Sequence, residues 1–170
     1  MIPALTTDRL VLRAPDVTDF GSFAGHFQSQ RSVHEDGPLD CAGAWREFAT
    51  GVAGWLLRGY GSLSVTDCAT GSYLGEVSIY RLATYPEPEI GWMVLPEAEG
   101  RGIAFEAASA LRDWAYATFG WTTLVSYIAP ANARSIRLAE RLGAWRDPDA
   151  PLPEDDDCLV YRHPAPGVAT

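Results

Sequence analysis

Between Glu99 and Ala107 the sequence reads Glu-Gly-Arg-Gly-Ile-Ala-Phe-Glu-Ala. The stretch lies between an apolar run ending at Leu95 and a segment with helical periodicity. Glycines there let the backbone turn tightly and leave N–H groups uncovered where a helix begins. Orphan donors and the positive end of a helix macrodipole together make an anion site, suited to a pyrophosphate. Arg101 adds a guanidinium at the same place. A Walker A loop needs a lysine, and this chain has none, so that reading is excluded. A dinucleotide fingerprint would put Phe105 where its third glycine belongs, and its strand would be third in a meander rather than first in a βαβ unit. A glycine-rich helix start with no ligand also fits. A second stretch, Asn132-Ala133-Arg134-Ser135, opens a short helix closed by Gly143, which by itself reads as an Asn N-cap and a Gly C-cap.

Composition narrows the chemistry further. All 13 basic residues are arginine. That rules out a lysine Schiff base or any other catalytic lysine. The net charge of −9 and pI near 4.7 argue against nucleic acid and anionic membranes as partners, and fit a cationic or neutral one. Cys41, Cys68 and Cys158 are scattered, and His26, His34 and His163 are dispersed, so neither a disulfide framework nor a metal site is expected. The first residues carry no signal-peptide pattern, and no apolar run is long enough to span a membrane. The cytoplasm is the expected compartment.

These candidate residues need elements to hold them. The 170 residues suit one domain, with 164–170 expected as a frayed tail. Alternation over 9–14 predicts a strand. Asp16 and Asp19 then form a capping-box pattern for a helix to about Gln28. A polar loop covers 29–40. A helix follows from Cys41 to Arg58, with Trp45, Phe48, Ala49, Val52, Trp55 and Leu56 as its apolar stripe. Strands are expected at 62–66, 73–80 and 89–95, and a helix over about 102–118. A strand at 122–128, a helix at 132–142 and an edge strand at 159–162 complete the chain. The order mixes hairpins with one β-α-β crossover, an α+β arrangement.

Against that background, the glycine-rich loop resembles the coenzyme A loop of the GNAT acetyltransferases, Q/R-x-x-G-x-G/A. Gly102 and Ala104 match, and Glu99 takes the Gln/Arg place. Asn132-x-x-Ser135 with "ERLG" downstream resembles the second GNAT signature. "TTDRLVLRAPDVTDF" and "EIGWMV" resemble the opening and central strand of the RimJ/RimL-like branch. The resemblance covers about Thr6 to Arg162.

It implies a three-layer fold, a mixed and mostly antiparallel sheet with helices on both faces. The family's fourth and fifth strands splay around acetyl-coenzyme A, the acetyl donor. By match, Met93 and Val94 lie along the pantetheine arm. The N–H groups of Arg101, Gly102, Ile103, Ala104 and Phe105 hold the pyrophosphate, and Asn132 and Arg134 contact the cofactor from the other side; Arg137 is an alternative to Arg134. A carboxylate at Glu99 is unfavourable beside a polyanion unless it faces solvent or Arg101.

The implied reaction is direct acetyl transfer to a primary amine, a protein N-terminus or a small molecule. Glu89, sharing a strand face with Gly91 and Met93, is the first candidate base, with Glu76 and Tyr80 behind it. The family's tyrosine acid falls on Ala139, leaving Ser135 as the substitute proton donor. His34, Glu35 and Asp36 are expected at the acceptor. Trp55, Trp92, Trp114 and Trp121 read as core, and Trp45 and Tyr85 as walls of the acceptor pocket. The alternative is a catalytically weak coenzyme A-binding sensor on the same fold, and either form could be a monomer or a homodimer.

Overall fold

The computed structural model describes residues 1–154 and 156–165. Its strands are β1 (Leu5–Thr6), β2 (Leu10–Arg13), β3 (Ser62–Asp67), β4 (Tyr73–Tyr80), β5 (Glu89–Val94), β6 (Val125–Ile128), β7 (Trp145–Arg146) and β8 (Leu159–Arg162). The helices are α1 (Phe20–Phe27), α2 (Cys41–Arg58), α3 (Ile103–Phe119) and α4 (Ala133–Arg141). All eight strands form one sheet, in the order β1-β2-β3-β4-β5-β6-β8-β7. Every pairing is antiparallel except β5 with β6. This is the expected α+β arrangement, a mixed and mostly antiparallel sheet packed by helices.

Local chemistry explains the element ends. Asp16 and Asp19 do form a reciprocal capping box, but it opens a 3-10 turn at Val17–Asp19 that leads into α1. Asp19 is also held by Arg13 through two hydrogen bonds of 2.7 and 2.8 Å, which ties the turn to β2. Asp40 caps α2 through the Gly43 N–H, and Gly59 closes it with a left-handed φ of 80°. The buried stripe of α2 is Ala44, Phe48, Gly51 and Trp55. Phe48 and Trp55 of the expected stripe lie on it, while Trp45 and Leu56, also expected there, are 47% and 88% exposed, and Ala49 is exposed too. The strand expected at 122–128 starts only at Val125; just before it, the Thr123 hydroxyl donates to Glu87 at 3.1 Å. The two-residue strands β1 and β7 are too short for a period to show. Pro164 and Ala165, expected to fray, are half-buried, and Ala165 packs on the main core. The rest of that tail, 166–170, lies outside the described residues.

A small core gathers Ile128, Ala139, Ala144 and Tyr161, and the two larger ones lie on opposite faces. On one, α3 presents Ala107, Ala108, Leu111 and Ala115, all fully buried, to Leu10, Val65, Val77, Ile79 and Ile90 of the sheet. Alanines at three of those helix positions let α3 lie close to the strands. On the other, α1 and α2 close over Met93 and Leu95 with Phe23, Phe27, Ala44 and Phe48. Gly75 brings β5 close: its φ is 152°, and a Cβ there would stand 2.2 Å from the Met93 carbonyl.

Between β5 and β6 the sheet comes apart. Their ladder consists of one Cα pair, Glu89 with Val125. The Val125 N–H bonds to the Pro88 carbonyl (3.1 Å) and the Ser126 hydroxyl to the Ile90 carbonyl (2.6 Å). One residue on, the Tyr127 N–H finds no strand carbonyl and donates to the Glu89 carboxylate at 3.2 Å. Beyond that point the edge of β5 facing β6 has no strand partner among the described residues.

Candidate active site

Two cavities meet in this wedge. The first, about 380 Å³, runs from Trp92, Met93 and Val94 to the start of α3. Gly100 and Gly102 take left-handed φ angles of 70° and 77°, which turns the chain into α3 and bares its first amides. The N–H groups of Arg101 to Phe105 donate to no acceptor among the described residues. Arg9 braces this loop from behind, donating to the Arg101 carbonyl (3.0 Å) and to Glu106 (2.7 Å). A diphosphate therefore fits here: the loop is open, rigidly backed, and lined by unpaired donors.

The charges around the cavity differ from the expected set. The Arg101 guanidinium points away, toward the Glu97 carbonyl (3.3 Å) and Asp67 (4.0 Å), and only its backbone serves the loop. The lining cations are Arg31, Arg134 and Arg141. Arg134, Leu138 and Arg141 share one face of α4 at spacings of four and three, with the Arg141 guanidinium stacked 4.4 Å from the Phe105 ring centre. That spacing was readable in the sequence, and Arg137 does not line the cavity. Arg31 had no sequence signal; it comes from the loop after α1. Glu99 is partly exposed, and its partner is not Arg101. It pairs with both Arg31 and Arg134 across the cavity mouth, and these two arginines hold its carboxyl below the usual carboxylate range despite desolvation.

Asn132 caps α4 through the Ser135 N–H at 3.1 Å. The Ser135 hydroxyl accepts the Trp92 indole N–H at 3.3 Å, so its own proton is free to donate. It is the one hydroxyl side chain among the described residues lining this first cavity. Trp92, expected in the core, does pack against it as a partly buried side chain and also lines both cavities. Ala139, where the family tyrosine would stand, is fully buried.

The second cavity, about 540 Å³, shares Trp92, Met93, Asn132 and Ser135 with the first. Its floor comes from alternate positions of two strands: Glu76, Ser78 and Tyr80 of β4, and Glu89, Gly91 and Met93 of β5. In the ladder Glu76 stands opposite Met93, and Tyr80 opposite Glu89. Burial pushes both the Glu76 and Glu89 carboxyls up to about 8. Glu76 accepts the Ser62 hydroxyl at 2.8 Å. His34, Glu35 and Asp36 all line this cavity, with Glu35 also 3.0 Å from the His26 ring. Tyr85 is a wall, as expected. Trp45 is not; it packs edge-on against Phe20 at 4.9 Å. Cys158 also lines it, its thiol pushed up to about 12 by burial.

A profile of the acetyltransferase (GNAT) domain matches residues 9–144. The chain belongs to the GNAT acetyltransferase family. It is similar to a crystal structure of an acetyltransferase from Agrobacterium tumefaciens strain C58, at 42% identity over 96% of this chain and 95% of that one, with a TM-score of 0.92. It also shares its fold with RimL, a ribosomal L7/L12 alpha-N-protein acetyltransferase solved in complex with coenzyme A. That match has 16% identity, a TM-score of 0.73, and coverage of 95% and 98%. Among curated proteins, YkkB of Bacillus subtilis is 36% identical over 90 residues, 51% of this chain and 52% of YkkB. The match thus spans about half the length of that relative. This GNAT chain has no helix, among the described residues, long and apolar enough to cross a membrane.

Proposed function

We propose that the protein is an acetyl-coenzyme A-dependent N-acetyltransferase of the RimJ/RimL-like branch, acting on a primary amine. The observation that carries this is the pairing of two joined cavities of opposite character. One is rimmed by bare amides and arginines, the other floored by carboxylates, and they meet at Met93. Acetyl-coenzyme A, when bound, supplies a thioester whose carbonyl carbon is the electrophile. The open edge of β5 at Met93 and Val94 receives the pantetheine arm as an added strand. The loop amides and Arg134 take the phosphates, and Arg31 and Arg141 reinforce them.

In the second cavity Glu89, directly or through one water, takes the proton that the amine nitrogen loses as its bond to the acetyl carbon forms. The C–S bond breaks and the sulfur leaves as a thiolate, steadied by a hydrogen bond from the Ser135 hydroxyl. The proton taken up by Glu89 is returned to solvent and the thiolate takes one from it, so the products are an amide and a thiol. A lysine-type amine is neutral only to roughly 0.04% at pH 7, so a base of raised pKa has work to do. Glu76, opposite Met93, is the second carboxylate within reach of that point.

The test is release of free coenzyme A thiol over a panel of amines, with donor affinity measured by calorimetry. Amine-dependent release supports the transferase. Tight donor binding with no release for any amine supports the sensor reading instead. Donor binding too weak to detect removes both.

A further inference from the structure

The second cavity is far more acidic than a single amine needs. Its carboxylates lie at graded depth on separate elements. Glu76 and Glu89 form the floor, on β4 and β5. Glu47 of α2 and Glu35 of the following loop region after α1 form half-buried walls, and Asp36, Asp156 and Asp157 form an exposed rim. Arg46 is the one fixed cation lining the same space among the described residues, with His34 beside it. Several of these groups feel one another: Asp156, Asp36 and Glu47 each disfavour ionisation of Glu89.

Two of the acidic groups have no cationic partner among the described residues. Glu76 is only 7% exposed, yet its Oε2 accepts no hydrogen bond from any described residue, while Oε1 takes Ser62 and, at 3.5 Å, Tyr80. Glu47 makes no hydrogen bond or ion pair with any described residue, and desolvation raises its carboxyl. Acidic groups gathered in a cavity with no cation beside them resist ionisation, and an arriving ammonium favours their charged form. Tyr80 and Tyr85 supply aromatic faces beside them, suited to the methylenes and charge of an alkylammonium.

Resting on the transferase reading above, we infer that the acceptor is a small linear di- or oligoamine. Its reacting nitrogen sits over the Glu76–Glu89 floor, and a second ammonium is held among Glu47, Asp156 and Asp157. Gly91, between Glu89 and Met93, lines the floor without a side chain, beside the Ser78 hydroxyl, which a Cβ there would meet at 3.3 Å. A peptide N-terminus fits less well. It brings one positive charge followed by carbonyl oxygens, which would face the wall carboxylates with nothing to offset them.

The experiment compares n-butylamine, 1,4-diaminobutane, spermidine and a tripeptide with neutral side chains and a free N-terminus. Each is assayed for thiol release, and its binding to coenzyme A-loaded protein is measured by calorimetry. The expected result is a kcat/KM for 1,4-diaminobutane roughly tenfold or more above that for butylamine, the scale of one partly buried charge-assisted contact. The ratio should shrink with added salt. It should fall toward one in the Glu47→Gln, Asp157→Asn double variant. A ratio near one, preference for the tripeptide, or a ratio the double variant leaves intact would overturn the assignment while leaving acetyl transfer standing. Diamine binding that the double variant abolishes, without thiol release from any amine, would keep the dication site and sink the transferase. Neither binding nor release would sink both.

Discussion

Glu89 carries two duties at one carboxylate. It caps the Tyr127 N–H where the ladder ends, and it faces the acceptor cavity with its carboxyl pushed up to about 8. Glu89→Gln keeps an acceptor for Tyr127 and removes the proposed base. The expected outcome is a fall in kcat of roughly 10²-fold or more. The rise of kcat/KM with pH toward a plateau near 8 should also vanish from the profile, while donor affinity holds. The groups bearing on that titration are Asp36, Glu47 and Asp156 across the cavity and the Tyr127 amide beneath. Glu99 is a different case. Its carboxylate holds Arg31 and Arg134, two cations that the donor's phosphates would otherwise claim, so it competes with the ligand from inside the protein. Glu99→Gln is expected to tighten coenzyme A binding by about three- to tenfold, the order of an ion pair at a partly exposed site, read by calorimetry at low salt. Weaker binding would mean that Glu99 instead sets the arginines in place.

Among the elements, the β4–β5 hairpin and the loop entering α3 carry the most weight. Gly75 sits at φ 152°, with Met93 too near for any side chain. Gly75→Ala is expected to destabilise the fold by roughly 2–4 kcal/mol in urea unfolding, combining backbone strain with steric displacement of β5. It should also weaken donor binding, since Met93 must move. Gly102→Glu has room, its nearest neighbour being Arg9 at 3.6 Å, but puts a charged residue into a left-handed φ beneath the bare amides. Loss of coenzyme A binding with an unchanged circular dichroism spectrum is the expected result.

These elements were mostly legible beforehand. The helix limits of α2 and the runs of β3 to β5 follow from periodicity and from Gly59 and Pro96, and the loop at 99–105 announces its own chemistry. What could not be read were partners remote in sequence. Arg31 comes to Glu99 from 68 positions away. Asp156 and Glu47 share the acceptor cavity only because the sheet brings α2 and the loop before β8 together. The Arg101 side chain was misplaced for the same reason: Asp67, which draws it off, lies at the end of β3.

For the whole molecule, the buried floor carboxyls set a pH dependence. Glu76 and Glu89 hold their protons up to about 8 when folded, against 4.5 for an ordinary glutamate. The native state therefore binds more protons than the unfolded chain between those values, and its stability falls as pH rises through that window. Thermal melts are expected to drop from pH 5 to pH 9, and a Glu76→Gln, Glu89→Gln double variant should flatten the slope. A flat wild-type profile would contradict the burial argument. The single Cα pair joining β5 to β6 has a mechanical meaning as well. Strands β1–β5 form one plate and β6, β8 and β7 another, joined at one end by the contacts around Glu87–Ile90 and open beyond them. A ligand threaded through the gap acts as a rivet between the plates, so the empty enzyme should part along this seam first under heat or pulling force, and the loaded one should have to break somewhere else.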